Sequence, residues 1–386
     1  MITVVYAGDE PPDAWDASLF LAGPTPRAPD VASWRPDAIR ELHDLWRGPQ
    51  RLVVFVPEAP GGGLRIGVDR QVAWEDRWLT GCDVIAFWVP RGPRLPGFTT
   101  NVEWGRWESS GKVVLGAPPD AERIRYLRRY AAEQGVPTAG TLRGTLEAAL
   151  GLIGTGAGRA GPHREIPLLL WRTASFRQWL AAQEGVGNRL RGGRLAWTWR
   201  RQGVFFWAYH PRVYVAAEDR VKANEVVVSR PDIAAVVAFR RGPAPYDSEV
   251  VLIREFRSSG VGRDGFVHEL PGGSGEAAPR EQAAAELAEE TGLVVDPGRL
   301  RAHGTRQAVA SVSAHRHHIF GLELTAAELD RLRGDDSVHG DAAAGGEERT
   351  RVEVHRVGDL FAGDLTDWTT LGIIAAVLLS PPTPPA

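Results

Sequence analysis

Short, unbroken apolar runs separated by longer amphipathic stretches dominate the first 150 residues. Thr3–Tyr6, Leu19–Ala22, Leu52–Val56, Val84–Val89 and Val113–Leu115 predict strands buried on both faces. Between them the spacing predicts helices over Pro36–Trp46, Val68–Leu79, Asn101–Ser109 and Ala121–Glu133, with Leu142–Ile153 closing the unit. Such alternation is the pattern of an α/β domain with a largely parallel sheet, of the Rossmann or flavodoxin-like kind. Glycine-rich sequence around 154–161 then predicts a linker, so residues 1–155 read as one domain and 156–163 as its flexible exit.

Residues 164–230 read differently. Ile166–Gln183 has helical spacing, whereas Leu195, Trp197 and Trp199 alternate with Ala196, Thr198 and Arg200 at the period of a half-buried strand. Further strand follows at Val204–Tyr209 and Arg212–Ala216. Aromatics interleaved with arginines suit either a nucleic-acid stacking platform or, on the period-two pattern, a β-rich packing layer or dimer face. From 231 to 380 the strands Ile233–Phe239 and Val250–Arg254 precede a Gly-rich turn and a helix rich in alanine and glutamate. Strands at His317–Leu324 and Arg351–Val357 and a helix at Thr369–Leu379 follow, which makes this region a second α/β domain. Gly334–Glu348 reads as a mobile polar loop and Pro381–Ala386 as a disordered tail.

Composition narrows the function. With 43% hydrophobic and 24% charged residues the chain is neither fibrous nor wholly disordered. A net charge of −3 argues against a generally nucleic-acid-binding surface, but it hides a partition of −1 over 1–160, +7 over 161–230 and −9 over 231–386. Cys82 is the single cysteine, which excludes an intrachain disulfide and a cysteine-based zinc site. No leader pattern opens the chain, and its longest late apolar run, Leu371–Leu379, is too short to span a bilayer, so no membrane and a cytoplasmic location are expected.

The acidic third carries the sharpest motif. In Ala285-Glu286-Leu287-Ala288-Glu289-Glu290-Thr291-Gly292, Glu286, Glu289 and Glu290 fall at i, i+3 and i+4, so a helix would project all three carboxylates from one face. Like charges at that spacing cost stability unless a cation sits among them, and a hard divalent cation prefers such oxygens. Gly292 supplies a helix stop, and the pair Gly272 and Gly273 lets a loop backbone approach closely. Together with Arg254-Glu255-Phe256-Arg257 and Glu269-Leu270-Pro271-Gly272-Gly273, these residues resemble the Nudix box over roughly residues 231–380. The resemblance implies an α/β/α Nudix fold with a mixed sheet, Mg²⁺ (or Mn²⁺) held by Glu286, Glu289 and Glu290, and attack of water on a diphosphate linkage. It also implies catalytic roles for Glu286 and Glu290 and substrate contacts from Arg257, Gly272 and Gly273. A further ligand or base would come from Glu347 or Glu348. Ala285 stands where the family has arginine, and the stretch from Gly273 to Ala285 is two residues short of the family pattern. His315, His317 and His318 form another cluster; His315 and His317 would share a strand face and could serve a metal or enter a substrate pocket.

In the first domain Gly23-Pro24 follows a buried strand, at the edge where open α/β sheets bind ligands. Glu103 sits in Thr99-Thr100-Asn101-Val102-Glu103-Trp104-Gly105, in the first helical turn near that edge, where it could act as a carboxylate nucleophile toward an anomeric carbon. Thr100-x-x-Glu103 is equally the pattern of a capping box. With Ser33-Trp34-Arg35, Trp74-Glu75 and Cys82-Asp83, the segment resembles the nucleoside 2-deoxyribosyltransferase family and its N-glycosidase relatives over about residues 15–150. That resemblance implies Glu103 as nucleophile and Gly23, Pro24, Arg35, Glu75, Asp83 and Asn101 as substrate-binding. The expectation is a bifunctional enzyme acting on a nucleotide or nucleoside diphosphate, at least dimeric, without a nucleic-acid partner. The alternative is an N-glycosidase regulated by a degenerate Nudix domain that senses a nucleotide.

Overall fold

Alternation of strand and helix does organise the first unit, which spans Met1–Ser229 in the computed structural model; Arg230–Ala386 forms the second. The structure describes all residues except 27, 29, 64, 201–202, 263, 276, 341–347 and 380–386. The expected Pro-rich tail and residues 341–347 of the expected loop at 334–348 therefore lie outside the described residues.

In chain order the first unit contains β1 (Ile2–Tyr6), β2 (Ala14–Trp15), β3 (Ala17–Ala22), α1 (Arg35–Leu45), β4 (Leu52–Val56), α2 (Val68–Gly81), β5 (Val84–Trp88), α3 (Phe98–Trp107), β6 (Val113–Gly116), α4 (Arg125–Glu133), β7 (Thr138–Ala139) and α5 (Leu142–Ile153). Six strands pair in the order β1-β4-β3-β5-β6-β7, and every pairing is parallel. Period-two geometry sends Phe20, Phe55 and Phe87 into one core with Trp78, Trp104 and Leu127 of α2, α3 and α4. Leu19, Leu21 and Val54 enter the other with Leu42, Leu146 and Ile153 of α1 and α5. Both faces are thus covered, which is why the strands read as unbroken apolar runs. The chain moves outward from β3 to β4 and then crosses back to β5, so the strand order reverses between β3 and β5. That reversal opens a crevice beyond the carboxyl ends of those strands.

The glycine-rich exit is built in rather than loose. Arg159 and Ala160 form β8, which pairs with β2, and the Arg159 side chain is fully buried against Asp83. The expected helix at Ile166–Gln183 divides into α6 (Leu168–Trp171) and α7 (Ala174–Gly185). Next come β9 (Arg189–Arg200), β10 (Val204–Val215), β11 (Arg220–Lys222) and β12 (Val227–Ser229), an antiparallel sheet in which β10 runs continuously through Pro211. α7 covers it through Phe176 and Trp179, packed on Trp207 and Tyr209, with Trp207 Nε1 donating to Ser175 Oγ. The burial phase differs from expectation, since Trp197 and Trp199 on β9 are largely exposed.

The second unit holds β13 (Ile233–Arg240), β14 (Glu249–Glu255), β15 (Val267–Glu269), β16 (Gly272–Gly273), α8 (Pro279–Thr291), β17 (Arg301–Gln307), β18 (Arg316–Glu323), α9 (Ala326–Arg333), β19 (Thr350–Arg356), α10 (Val357–Ala362) and α11 (Trp368–Leu379). Its seven-stranded sheet is mixed: β13 and β18 pair in parallel, while the other pairings are antiparallel. Val236, Val251 and Phe320 face α8 and α9, and Val237, Leu252 and Ile319 face α10 and α11. Among the described residues no helix is long and apolar enough to cross a membrane.

Candidate active sites

The crevice of the first unit is shaped by a buried arginine. Arg35, at the start of α1, donates from Nε to the Leu21 carbonyl at 3.0 Å, from Nη2 to the Gly23 carbonyl at 2.8 Å and from Nη1 to Thr25 Oγ1 at 3.1 Å. It also pairs with Glu58, and both side chains are essentially inaccessible to solvent. Glu58 accepts a further bond from Ser33 Oγ at 2.7 Å. Arg35 therefore fastens the loop after β3 to the loop after β4. Gly23 has φ +145°, and a Cβ there would run into the Trp88 carbonyl oxygen, so glycine is required where β3 and β5 leave the sheet. Pro24 fixes the next step by accepting from Trp34 Nε1 at 3.2 Å.

Glu103 and Glu75 bring two carboxyls to this place. α3 begins at Phe98 rather than Asn101, with Gly97 as its cap residue and no side-chain capping bond, so Glu103 lies in the second turn and the capping-box reading is overturned. Burial, reinforced by the charge of Glu75 and opposed by Arg35, pushes the Glu103 carboxyl up to about 8. Burial also raises Glu75, against a hydrogen bond from Gln71 Nε2 and the charge of Arg35. The two partly buried carboxyls thus stand within electrostatic reach of the same fixed cation, Arg35.

Two expected site residues fall elsewhere. Asn101 accepts from Arg91 Nη2 at 2.6 Å and lines a separate cavity of about 950 Å³ with Phe98, Trp104, Tyr126 and Tyr130. Two residues along a helix is more than half a turn, which turns it away from Glu103. Asp83 stands at the opposite, amino-terminal edge of the sheet, just before β5. Its carboxylate is saturated by Ser18 N and Oγ, both Nη atoms of Arg159 and Leu168 N, and both partners of the ion pair are fully buried. The physical reason it cannot face the crevice is this latch, which ties α6 and β8 to the sheet. Sequence reading missed Glu58 and Arg159. An acidic residue directly after the buried strand β4 was a usable signal for Glu58; nothing local marked Arg159 as the partner of Asp83.

In the second unit α8 ends on Gly292 in the left-handed conformation, φ +67°, as the sequence implied. Its three glutamates do not share one environment. Glu289 is exposed, Glu286 half-buried, and Glu290 buried at 2% exposure. Glu290 accepts from Gly272 N at 2.8 Å, and a Cβ on Gly273 would collide with the Glu286 carboxylate, so the glycine pair does bring backbone onto the acidic face. Burial, together with the charges of Glu286, Glu348 and Glu269, lifts the Glu290 carboxyl to about 9 despite the Gly272 N–H. Glu286, hydrogen-bonded by Gln282 Nε2 at 2.6 Å, is likewise raised by burial. Arg257 answers this charge, pairing with Glu255 at 2.7 Å, Glu269 at 3.2 Å and Glu348 at 3.3 Å. Glu348 thus sits within electrostatic reach of the helix, whereas Glu347 lies outside the described residues. Arg257 pairs with three of these carboxylates and Arg230 acts on Glu286 by its charge, and the donor set on this face is all oxygen, which fits a hard divalent cation. The oxygens are dispersed, however, because Glu286 and Glu290 are each turned to a protein donor.

His315 and His317 have ring centroids 5.4 Å apart at the start of β18. Burial, with the charges of His315 and Arg230, lowers the His317 imidazole to about 4, so it is neutral. His317 lines a pocket of about 260 Å³ with Ile319, Trp368 and Ile373. His318 turns instead to Thr305 Oγ1 and Asp232.

Comparison with known proteins bears on the first unit. Residues 16–121 match the family model described as nucleoside 2-deoxyribosyltransferase like, a span that contains Gly23, Arg35, Glu58, Glu75 and Glu103. No curated protein matches the chain.

Proposed function

We propose that the first unit breaks the N-glycosidic bond of a nucleoside or nucleotide through Glu103, and that the second acts on a diphosphate linkage at α8. The observation that carries the first half is the placement of Glu103 with Glu75 and Arg35 at the strand-order reversal, inside the segment similar to nucleoside 2-deoxyribosyltransferases. The Glu103 carboxylate attacks the anomeric carbon, the bond from that carbon to the base nitrogen breaks, and the base leaves with a proton. Glu75, whose carboxyl is raised by burial, is the neighbouring side chain that would supply that proton. Water or a second base then displaces Glu103 from the glycosyl ester. Arg35 does not touch the reacting atoms; it holds the loops and keeps Glu103 from becoming a still weaker acid.

In the second unit Glu286, Glu289, Glu290 and Glu348 are the residues that would hold Mg²⁺. The ion would neutralise diphosphate oxygens and lower the pKa of a bound water. Arg257 would bind a phosphate edge once released from part of its carboxylate contacts. Dispersal of the α8 oxygens, with Ala285 exposed on the outer side of the helix, favours a second reading in which this unit binds a nucleoside diphosphate without cleaving it.

A 2-fluoro-2-deoxy nucleoside slows the second step and accumulates the glycosyl ester. Peptide mass mapping should then find the sugar on Glu103; base release with the sugar elsewhere, or with none trapped, would remove the nucleophile assignment. Incubating the full chain with ADP-ribose and Mg²⁺ separates cleavage from sensing, by products on chromatography in the first case and calorimetric binding without products in the second.

A further inference from the structure

On the face of the second sheet away from α8, two imidazoles and two carboxylates meet. Register fixes the placement: on β14 Val250 and Leu252 pack toward α10 and α11, Leu252 pairs with Glu353, Val250 with His355, and Arg254 with His268 of β15. Directly paired residues share a face, so His268, Glu353 and His355 all lie on the α10 and α11 side. His268 Nδ1 is 2.7 Å from Glu353 Oε2, and His355 Nε2 is 2.9 Å from the same oxygen. The three ligand atoms fall within 4.8 Å of one another. His268 Nε2 in turn faces Asp264 Oδ2 at 3.3 Å, and Asp264 is held by Arg254 Nε at 2.9 Å.

We propose that His268, Glu353 and His355 form a binding site for one divalent transition-metal ion of the zinc class. The surroundings of His268 support it. Both of its ring nitrogens face carboxylate oxygens, Glu353 on one side and Asp264 on the other. With an ion on Nδ1, Nε2–H would donate to Asp264, the carboxylate–histidine–metal arrangement that orients a ligand. Two imidazoles and one carboxylate are a frequent zinc donor set, with a fourth position left for water. Glu353 and His355 side chains are each 27% exposed while His268 is 4% exposed, so the ion has an entry path and the innermost ligand is fixed by packing. The donor set differs from that of α8, where every candidate ligand is an oxygen.

The test is cobalt titration of the chelator-stripped full chain, read by visible absorption, with zinc back-titration and elemental analysis. One equivalent should bind with a nitrogen-ligated cobalt spectrum and be displaced by zinc. His355→Ala and Glu353→Gln, at half-exposed positions, should abolish the band while circular dichroism stays unchanged, and Asp264→Asn should weaken binding about 10- to 100-fold. Glu286→Gln should leave the band intact. Absence of the band in the unmodified protein, its survival in His355→Ala, or its loss in Glu286→Gln would each overturn the assignment.

Discussion

The crevice around Glu103 and the acidic face of α8 pose the same electrostatic problem and answer it differently. Each contains a carboxyl forced upward by burial and by like-charged neighbours, to about 8 in Glu103 and about 9 in Glu290. Near Glu103 the chain supplies a permanent cation, Arg35, sealed in place by its own partner Glu58 and by backbone carbonyls. On the acidic face of α8 Arg257 serves three carboxylates at the rim, Arg230 acts on Glu286 by its charge, and the Glu290 carboxylate accepts from the Gly272 N–H. The first site thus holds its raised carboxyl beside a built-in cation, whereas in the second the raised carboxyl rests on a backbone N–H.

The largest expected effect is catalytic. Glu103→Gln should reduce base release by about 1,000-fold or more, read by chromatography, since removing a nucleophile leaves only binding and orientation. Next comes the sealed pair: Arg35→Met strands Glu58 in the core and should cost about 3–5 kcal/mol in denaturant unfolding. The double substitution Arg35→Met with Glu58→Met should recover much of that loss. If the single substitution is nearly neutral, the idea of a built-in cation fails.

A third expectation concerns cation binding. Mg²⁺ should raise the melting temperature of the second unit in the unmodified protein, because it binds the folded state alone. Glu290→Gln should raise the metal-free melting temperature at neutral pH and abolish the Mg²⁺ increment. A full increment in that variant would remove Glu290 from the ion's ligands.

The last effects are in pH. Because the folded Glu103 carboxyl titrates near 8 against 4.5 for an ordinary glutamate, the folded state binds the extra proton between those values. Stability from this group is thus greatest below the ordinary value and falls as pH rises toward 8. Glu103→Gln should be more stable than the unmodified protein by about 4 kcal/mol at pH 8 and little different at pH 4. Over the same range kcat/KM for base release should climb as pH approaches about 8, because the attacking form is the carboxylate; a profile that falls instead would make Glu103 an acid.

How much of this was legible beforehand depended on the range of the interactions. Sheet strands and their order of appearance followed from continuous apolar runs, because burial on both faces leaves a local mark. Gly23, Glu75 and Glu103 stood out as candidates for the same reason: each lies at or just beyond a strand end or on the following helix. Asp83 was misplaced because its partner Arg159 is 76 residues away in sequence, inside glycine-rich sequence that reads as a linker. Thr100 looked like a cap because a capping box is a four-residue pattern, while Gly97 started α3 earlier through its left-handed backbone, φ +62°. The α8 triplet was visible as spacing, yet spacing carries no burial, and burial is what separates Glu290 from exposed Glu289. His268, Glu353 and His355 escaped notice altogether, since strand pairing assembles them from two separate strands.

The most direct test of the two-site division is a single chromatographic assay of a nucleotide and a nucleoside diphosphate, run on the unmodified protein, Glu103→Ala and Glu290→Gln, with Mg²⁺ or with chelator. Free base should vanish in Glu103→Ala, persist in Glu290→Gln and ignore the chelator, while Mg²⁺-dependent binding or cleavage of the diphosphate should show the reverse pattern. Loss of both behaviours in either variant, with the protein still folded, would contradict two independently built sites.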